Sequence, residues 1–381
     1  MNVALSAEQE DLRRGVRQIM EERVRPRAEE IDAAGEFPHF VRELFAEHDI
    51  FATVAPPEFG GIDGSLLTLA VVCEEITRVC ANSGMILGNQ SLGIGPIALF
   101  GSDEQKAAYL PKLASGEWLC SFALSEPGAG SDAAALQTRA RYEGDAWILS
   151  GRKNFITQAN VADVMTVFAR ADSGDRGAVT AFLVAREESG WIVERVEHKM
   201  GLRGSPTCAV VFDDVRVPAS AILGEIGAGL QIALSTLDKG RIMTAALALG
   251  IAQGALEVAL AYARERAQFG RPIADFQAVQ FMLADMETEI LAARALVRSA
   301  AARYDEGDSD IIKLAAATKL FVTEMVNRVT STALQVLGGY GYIVEYGAER
   351  RVRDARVFAI FEGTNEIQRL VIARELLRGR A

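Results

Sequence analysis

The sequence predicts a mainly α-helical protein with a β domain in its middle. Three observations carry this reading. Apolar residues recur at three- and four-residue steps through much of the stretch before Trp118. Short β-like runs separated by turn residues then fill the chain to about Leu223. Long helical periodicity returns from Gly229 onward. The strand–helix alternation that a parallel α/β architecture requires is not visible. The expected division is therefore a helical domain over 1–118, a β domain over 119–225 and a helical bundle over 226–381.

Taken in order, Leu12, Val16, Ile19, Met20 and Val24 mark an amphipathic helix from Ser6 to about Ile31. Ser6 followed by Gln9 reads as its capping box. Further helices are expected at about Pro38–Glu47, Leu66–Val79 and Asp103–Leu113, with 55–65 a loop by its Pro and Gly content. The β-like runs are Ala146–Leu149, Val164–Phe168, Val179–Val184, Trp191–Val196 and Ala209–Phe212. The pairs Glu143-Gly144, Ser173-Gly174 and Ser189-Gly190 supply turns between them, which suggests an antiparallel barrel or sandwich. Four long helices follow, at about 229–266, 274–305, 310–336 and 349–377, broken by Gly307 and by Gly338-Gly339.

Composition excludes several classes of function. The 381 residues carry 40 basic and 51 acidic side chains, a net charge of −11. That balance argues against non-specific binding to nucleic acid or to an anionic membrane. A chain of this length buries roughly 75% of its unfolded surface and needs no disulfide or structural metal. Cys73, Cys80, Cys120 and Cys208 form no CxxC pair, and Cys73 and Cys80 fall in a helical run as core side chains. His39, His48 and His198 are the only histidines, too few and too scattered for a triad or a multi-His metal site. The N-terminal residues do not read as a signal or transit peptide, and no run reaches the ~18 charge-free apolar residues of a membrane span. A reducing cytoplasm is the expected compartment.

Five stretches carry possible chemistry. In 124–132, LSEPGAGSD, Gly128 and Gly130 let a ligand approach the backbone, and Ser125 and Ser131 add hydroxyls. It is either a ligand loop or a surface turn. In 151–157, GRKNFIT, an aromatic and a hydroxyl two residues apart suit a planar ring, or ordinary β packing. The stretch 264–272, RERAQFGRP, is either a charged helix end or a cationic grip on phosphates. In 335–342, QVLGGYGY, three glycines and two tyrosines exceed what a helix cap needs. Last, Glu362 interrupts the apolar run Val357–Phe361, where desolvation would raise its pKa as a general base requires.

Taken together, these motifs make the sequence resemble the acyl-CoA dehydrogenase family, from Ser6 to about Leu377. The carrying stretches are 120–132, 151–157, 200–218, 237–256, 262–280, 335–342 and 352–375, in family order and spacing. The resemblance implies the acyl-CoA dehydrogenase fold: an N-terminal helical domain, an antiparallel β barrel or sandwich, and a C-terminal four-helix bundle. It also implies FAD, an acyl-CoA substrate and oxidation to the 2-enoyl-CoA, with hydride passing to flavin N5. Glu362 matches the family's base. Gly240 stands where some relatives place the base instead, which favours Glu362.

By the same resemblance, Phe122, Leu124, Ser125, Gly130, Ser131, Phe155, Ile156 and Thr157 would line the flavin, Ser131 also nearing the substrate. Phe155 stands where many relatives carry Trp. Arg266, Phe269, Gln277, Gln335, Gly338 and Gly339 would hold the pyrophosphate and adenine, several of them from a neighbouring subunit, and Thr364 and Glu366 would meet FAD. Asp238, Arg241 and Gly363 would bind substrate, and the thioester oxygen would sit on the Glu362 N–H. The implied partners are an electron-transferring flavoprotein as acceptor and further copies of the chain, usually in a homotetramer. Same-fold alternatives are an acyl-CoA oxidase, a dehydrogenase of carrier-protein-bound acyl groups and a flavin monooxygenase. A non-catalytic helical scaffold is more remote. The apolar, glycine-rich 84–96 matches the region that shapes the acyl pocket in relatives, and Gly84 falls about where glutaryl-CoA members carry an arginine. An uncharged short, branched or cyclic acyl chain is expected.

Overall fold

Ser6 caps the first helix as its sequence predicts, with the Gln9 N–H donating to Ser6 Oγ at 3.2 Å and the Ser6 N–H donating to Gln9 Oε1 at 3.0 Å. The computed structural model describes residues 3–62, 64–172, 177–187 and 190–378. The expected turn Ser173-Gly174, and Ser189 of the next one, lie outside them. Where one helix to Ile31 was expected, the chain forms α1 (Ala7–Ile19), a wide and then a tight turn through Arg27, and α2 (Ala28–Ala34). Pro26 sits in the tight turn and supplies no backbone N–H there. Next come α3 (His39–Glu47), α4 (Leu66–Val79), α5 (Ala81–Phe100) and α6 (Asp103–Ala114).

The periodicity assigns no helix to α5, whose interior holds four glycines and Pro96. Tertiary packing overrides their poor propensity. A Cβ on Gly84 would lie 2.1 Å from Thr77 Cγ2, and one on Gly93 would lie 2.3 Å from Cys120 Sγ. The glycines therefore let α5 lie against α4 and the start of the sheet. Every residue of α4 is buried, and each fully buried Leu, Ile or Val there contributes roughly 1.5–3 kcal/mol.

The middle of the chain supplies β1 (Cys120–Ala123), β2 (Arg139–Glu143), β3 (Ala146–Thr157), β4 (Val164–Ala171), β5 (Ala178–Ala185), β6 (Ile192–Val196), β7 (Thr207–Pro218) and β8 (Ile222–Leu223). They form one sheet in the order β6-β7-β3-β2-β4-β5-β8, with β1 added beside β4. The sheet is mostly antiparallel, but β1–β4 and β2–β4 pair in parallel, which corrects the all-antiparallel expectation. Residues 124–163 separate β1 from β4, and 144–163, which include β3, separate β2 from β4, long enough to carry the chain back for parallel pairing. Register shifts between β3 and β7 fall at Leu149/Gly151 and Lys153/Ile156, and the second brackets Phe155.

Then come α7 (Gly229–Glu265), a short hairpin of β9 (Ala267–Gln268) and β10 (Arg271–Pro272), α8 (Gln277–Asp305) and α9 (Ile311–Leu337). The last expected helix, 349–377, is two: α10 (Ala348–Arg356) and α11 (Asn365–Arg378). Between them Glu362 and Gly363 take left-handed φ of 55° and 83°, which no α-helix accommodates. Gly250 and Gly254 let α7 press on α4, where added Cβ atoms would stand 2.2 Å from Glu74 O and 2.1 Å from Arg78 O. One hydrophobic core accordingly runs through the N-terminal helices and the bundle, and a second fills the sheet. The buried Arg78 on α4 adds ion pairs to Glu21, Glu75 and Glu257. Helix α7 is long and apolar enough to cross a membrane, but it is largely packed inside the molecule.

Candidate active site

The break between α10 and α11 delivers Glu362 to the N-terminal third of α7. Its Oε2 lies 3.1 Å from where a Cβ on Gly240 would stand, and Leu92 Cδ1 of α5 is 3.5 Å from the same point. A side chain at 240 would crowd the carboxylate. Glu362 as a residue is half-buried, yet its Oε2 is shielded from solvent and has no hydrogen-bond partner. Burial raises its pKa to about 7, against the opposing pull of Lys319 and then Arg241. A carboxyl poised near neutrality with an unpartnered oxygen is suited to taking a proton.

The turn carrying Glu362 is held from behind. Lys319, on α9, is fully buried, and its Nζ donates at 2.9 Å to both Gly363 O and Asn365 Oδ1. Thr323 Oγ1 donates to the same Asn365 oxygen at 3.0 Å. Gln368 Nε2 donates to Gly363 O at 2.9 Å and to Glu362 O at 3.3 Å. Arg241, one position beyond Gly240, is buried and donates to Asp238 Oδ1 at 2.6 Å, while its Nε has no partner.

The sheet presents the second group. The loop after β1 is fixed by buried Glu126, which accepts from Thr138 Oγ1 at 2.6 Å and from the N–H groups of Gln137 and Thr138 at 2.5 and 2.9 Å. Lys153 Nζ, fully buried, reaches Glu126 Oε1 at 2.8 Å and Leu124 O at 3.1 Å. Burial pulls the Glu126 carboxyl up, but Lys153 and these donors outweigh it, so its pKa is lowered. The Asn154 N–H donates to Ser125 O at 2.9 Å. The structure thus brings the 124–131 loop and the end of β3 side by side. Phe155, at φ 59°, projects outward and is 64% exposed, while Ile156 points into the sheet core. Phe122 packs on Phe168 with ring centroids 4.9 Å apart. Ser121 Oγ donates to Thr157 O at 2.8 Å, tying β1 to the end of β3. Gly130 and Ser131 lie at the loop's rim, where Ser131 is exposed.

The third group gathers elsewhere. Arg266 sits over Tyr340 at 5.3 Å, beside the Gln335–Gly339 end of α9. Phe269, at φ 52° on the tip of the β9–β10 hairpin, is 94% exposed, and Gln277 opens α8 nearby. Both Gly240 and Arg266 belong to the line of α7, so about 39 Å of helix rise separates this group from Glu362. Thr364 Oγ1 caps α11 by accepting from the Ile367 N–H at 3.3 Å. Thr364 and Glu366 border an open cavity of about 410 Å³ that also touches Glu324, Arg328, Arg356 and Ile360.

Sequence reasoning missed Lys319 and Lys153. A signal existed for Lys319: it stands in the buried α9 stripe Ala315, Val322, Val326, Val329 and Ala333, where an apolar residue belongs.

Comparison with known proteins agrees with this architecture throughout. Family models for the N-terminal, middle and C-terminal domains of acyl-CoA dehydrogenase match residues 6–117, 121–215 and 227–377. A cyclohex-1-ene-1-carbonyl-CoA dehydrogenase of Geobacter metallireducens is 42% identical over 365 residues, covering 95% of this chain and 96% of that one. The butyryl-CoA dehydrogenase structure from Megasphaera elsdenii superposes with a TM-score of 0.95 at 38% identity, over 99% of this chain and all of that one. A chain from work on the electron transferring flavoprotein of Acidaminococcus fermentans gives a TM-score of 0.96 at 40% identity, with 99% and 100% coverage. The protein is therefore an oxidoreductase acting on the CH–CH group of acyl-CoA thioesters. The chain belongs to the acyl-CoA dehydrogenase family, and its cofactor is FAD.

The residues present fit that cofactor. Added Cβ atoms on Gly128, Gly130, Gly338 and Gly339 would meet nothing within 4 Å, leaving open backbone for a ligand. Phe155 and Phe269 offer the uncovered aromatic faces that a planar ring system stacks on.

Proposed function

We propose that Glu362 removes the proton α to the thioester carbonyl of an uncharged acyl-CoA, giving the 2-enoyl-CoA. The observation that carries this is the shielded, unpartnered Glu362 Oε2 opposite Gly240, with its pKa raised to about 7 by burial. The chemistry that FAD would supply there is a hydride acceptor for the β-hydrogen. The Glu362 N–H binds the thioester oxygen as negative charge develops on it, a contribution worth roughly 3–4 kcal/mol in comparable sites. Asp238 and Arg241 hold the substrate nearby, with Gly363 keeping the turn close to it. Leu92, Met243 and Leu247, apolar residues on α5 and α7, support a neutral short, branched or cyclic acyl chain. The names of the cyclohexenecarbonyl-CoA and butyryl-CoA relatives point the same way.

Phe122, Leu124, Ser125, Gly130, Ser131, Phe155, the backbone of Ile156 and Thr157 would hold the flavin, and Thr364 and Glu366 would also meet the cofactor. About 39 Å of helix rise between Gly240 and Arg266 is too long for a single dinucleotide to bridge within one chain. Arg266, Phe269, Gln277, Gln335, Gly338 and Gly339 would therefore serve the cofactor of a neighbouring copy, in the homotetramer that the family resemblance implies. Electrons leave to an electron-transferring flavoprotein, a reading supported by the Acidaminococcus relative.

Anaerobic titration of the purified protein with a panel of acyl-CoAs, followed by flavin bleaching, identifies the acyl class. Glu362→Gln keeps the shape and the backbone N–H. It is expected to retain FAD and acyl-CoA while bleaching slows at least about 10²-fold. Near-normal bleaching in this variant would place the base elsewhere.

A further inference from the structure

Lys319 is a cation where the pattern of α9 calls for an apolar side chain. A buried ammonium is costly unless its hydrogen bonds are made, and here they are made to neutral oxygens. Its partners are Gly363 O and Asn365 Oδ1, each at 2.9 Å, and not the Glu362 carboxylate that shares its surroundings. Glu362 Oε2 keeps no partner at all. A salt bridge in its place would lock Glu362 ionised and occupied. The arrangement found places positive charge behind the turn and leaves the carboxylate open toward Gly240. The turn itself needs support, because a non-glycine residue at φ 55° costs about 1 kcal/mol or more. Lys319 and Gln368 both donate to Gly363 O, the carbonyl directly after Glu362.

From this geometry we infer that Lys319 is a positioning residue, which holds the Glu362–Gly363 turn in its reactive conformation and biases Glu362 toward its proton-accepting form. The inference rests on the reading of Glu362 as the base. Charged groups facing the carboxyl are Lys319 from α9 and Arg241 from α7, while α5 presents Leu92. Glu366 of α11 also faces Lys319, and Arg241 is flanked by Asp238 of its own helix and by Arg374 of α11. Burial lowers the Lys319 pKa to about 8, with Glu362 opposing the fall. The lysine is thus still charged over the range in which Glu362 loses its proton. Removing its charge leaves Arg241 as the cation facing the carboxyl, and the Glu362 pKa must rise.

The test compares the flavin-loaded wild type with Lys319→Met, which removes charge and donor, and Lys319→Gln, which removes charge but keeps an amide donor. Two readouts are taken against pH: the rate of flavin bleaching by acyl-CoA, and the infrared band of the protonated Glu362 carboxyl, assigned by its loss in Glu362→Gln. Both variants are expected to move the bleaching limb and the carboxyl titration upward together by on the order of one pH unit. At neutral pH kcat is expected to fall about tenfold, with a smaller change in KM. At high pH Lys319→Gln recovers more of its rate than Lys319→Met, because part of the turn's support survives. Unchanged titration in both variants, or a loss confined to KM, overturns the role of Lys319. Should Lys319→Met not retain flavin, Lys319→Gln decides by the carboxyl titration alone. Normal bleaching in Glu362→Gln overturns the base reading instead, so the two failures are distinguishable.

Discussion

Two fully buried lysines anchor the two halves of the site, and they are used in opposite ways. Lys153 in the sheet makes a direct ion pair with Glu126 at 2.8 Å, and Thr138 and two backbone N–H groups saturate that carboxylate. Lys319 in the bundle donates to a carbonyl and an amide oxygen and leaves the nearby Glu362 Oε2 without a partner. The first carboxyl has its pKa lowered, and the second has its raised to about 7. A buried lysine therefore does not by itself decide what a neighbouring carboxyl does. The number of donors reaching the carboxyl decides it. Saturation makes a rigid loop, and an unfilled oxygen makes a proton acceptor.

The contrast is most strongly tested by breaking the saturated pair. Lys153→Met leaves Glu126 buried without its cation and is expected to destabilise the protein by about 3–5 kcal/mol. It should also loosen the 124–131 loop and the flavin, readable as lower denaturant midpoints and faster loss of FAD on dilution. Equal stability to wild type would mean that Glu126 finds water or a new partner.

Next in size is the opposite pH linkage of the two carboxyls. Glu362 binds its proton more tightly folded than unfolded, so its contribution is fully present below pH 4.5 and is lost as pH rises through about 7. Glu362→Gln removes that penalty and should be more stable than wild type at pH 8, by on the order of 2 kcal/mol, with the gain vanishing toward pH 4.5. Glu126 has the reverse sign: its stabilisation is present above pH 4.5 and is lost as acid protonates it. Glu126→Gln should therefore be less stable than wild type at pH 7, with the gap narrowing in acid. Urea titrations at several pH values check both slopes.

An effect of similar size is expected from Thr138→Val, which removes one hydrogen bond to a charged acceptor and should cost about 1.5–3 kcal/mol in the same titrations. Thr323→Val removes a hydrogen bond between neutral groups, to Asn365, and should cost about 1 kcal/mol. If the two cost the same, the sheet carboxylate is less charged than its donors imply.

Most of the fold was legible because it follows from local pattern: the Ser6 capping box, the long amphipathic helices and the short alternating runs all act within a few residues. What escaped depended on distant partners. The helix α5 was hidden by Gly84, Gly88, Gly93, Gly95 and Pro96, poor helix formers; the glycines make sense only once Thr77, Leu247, Cys120 and Thr236 are known to face them in turn. Parallel pairing of β1 with β4 joins Cys120 to Val164, a relation no local signal encodes. At the site, Glu362 stood out as a lone acid in an apolar run, whereas the oxygens that Lys319 serves lie 44 and 46 residues further on. Lys153 was hidden differently. It falls inside a recognisable motif, but its partner Glu126 belongs to another one, and only the fold sets the two side by side.

The unbroken run of α7 from Gly229 to Glu265 fixes more than the packing of a bundle. Gly240 gives room to a carboxylate near one end, and Arg266 follows directly on the other, so the helix works as a ruler between two chemical stations. A single residue inserted between them would swing Arg266 about 100° around the axis and move it about 1.5 Å. Seven would bring it back to within about 20° of its old face, but displaced by about 10 Å along the axis. Neither change leaves both stations in register. The β9–β10 hairpin and the turn before α9 lie outside that span, and there length can vary without resetting the ruler.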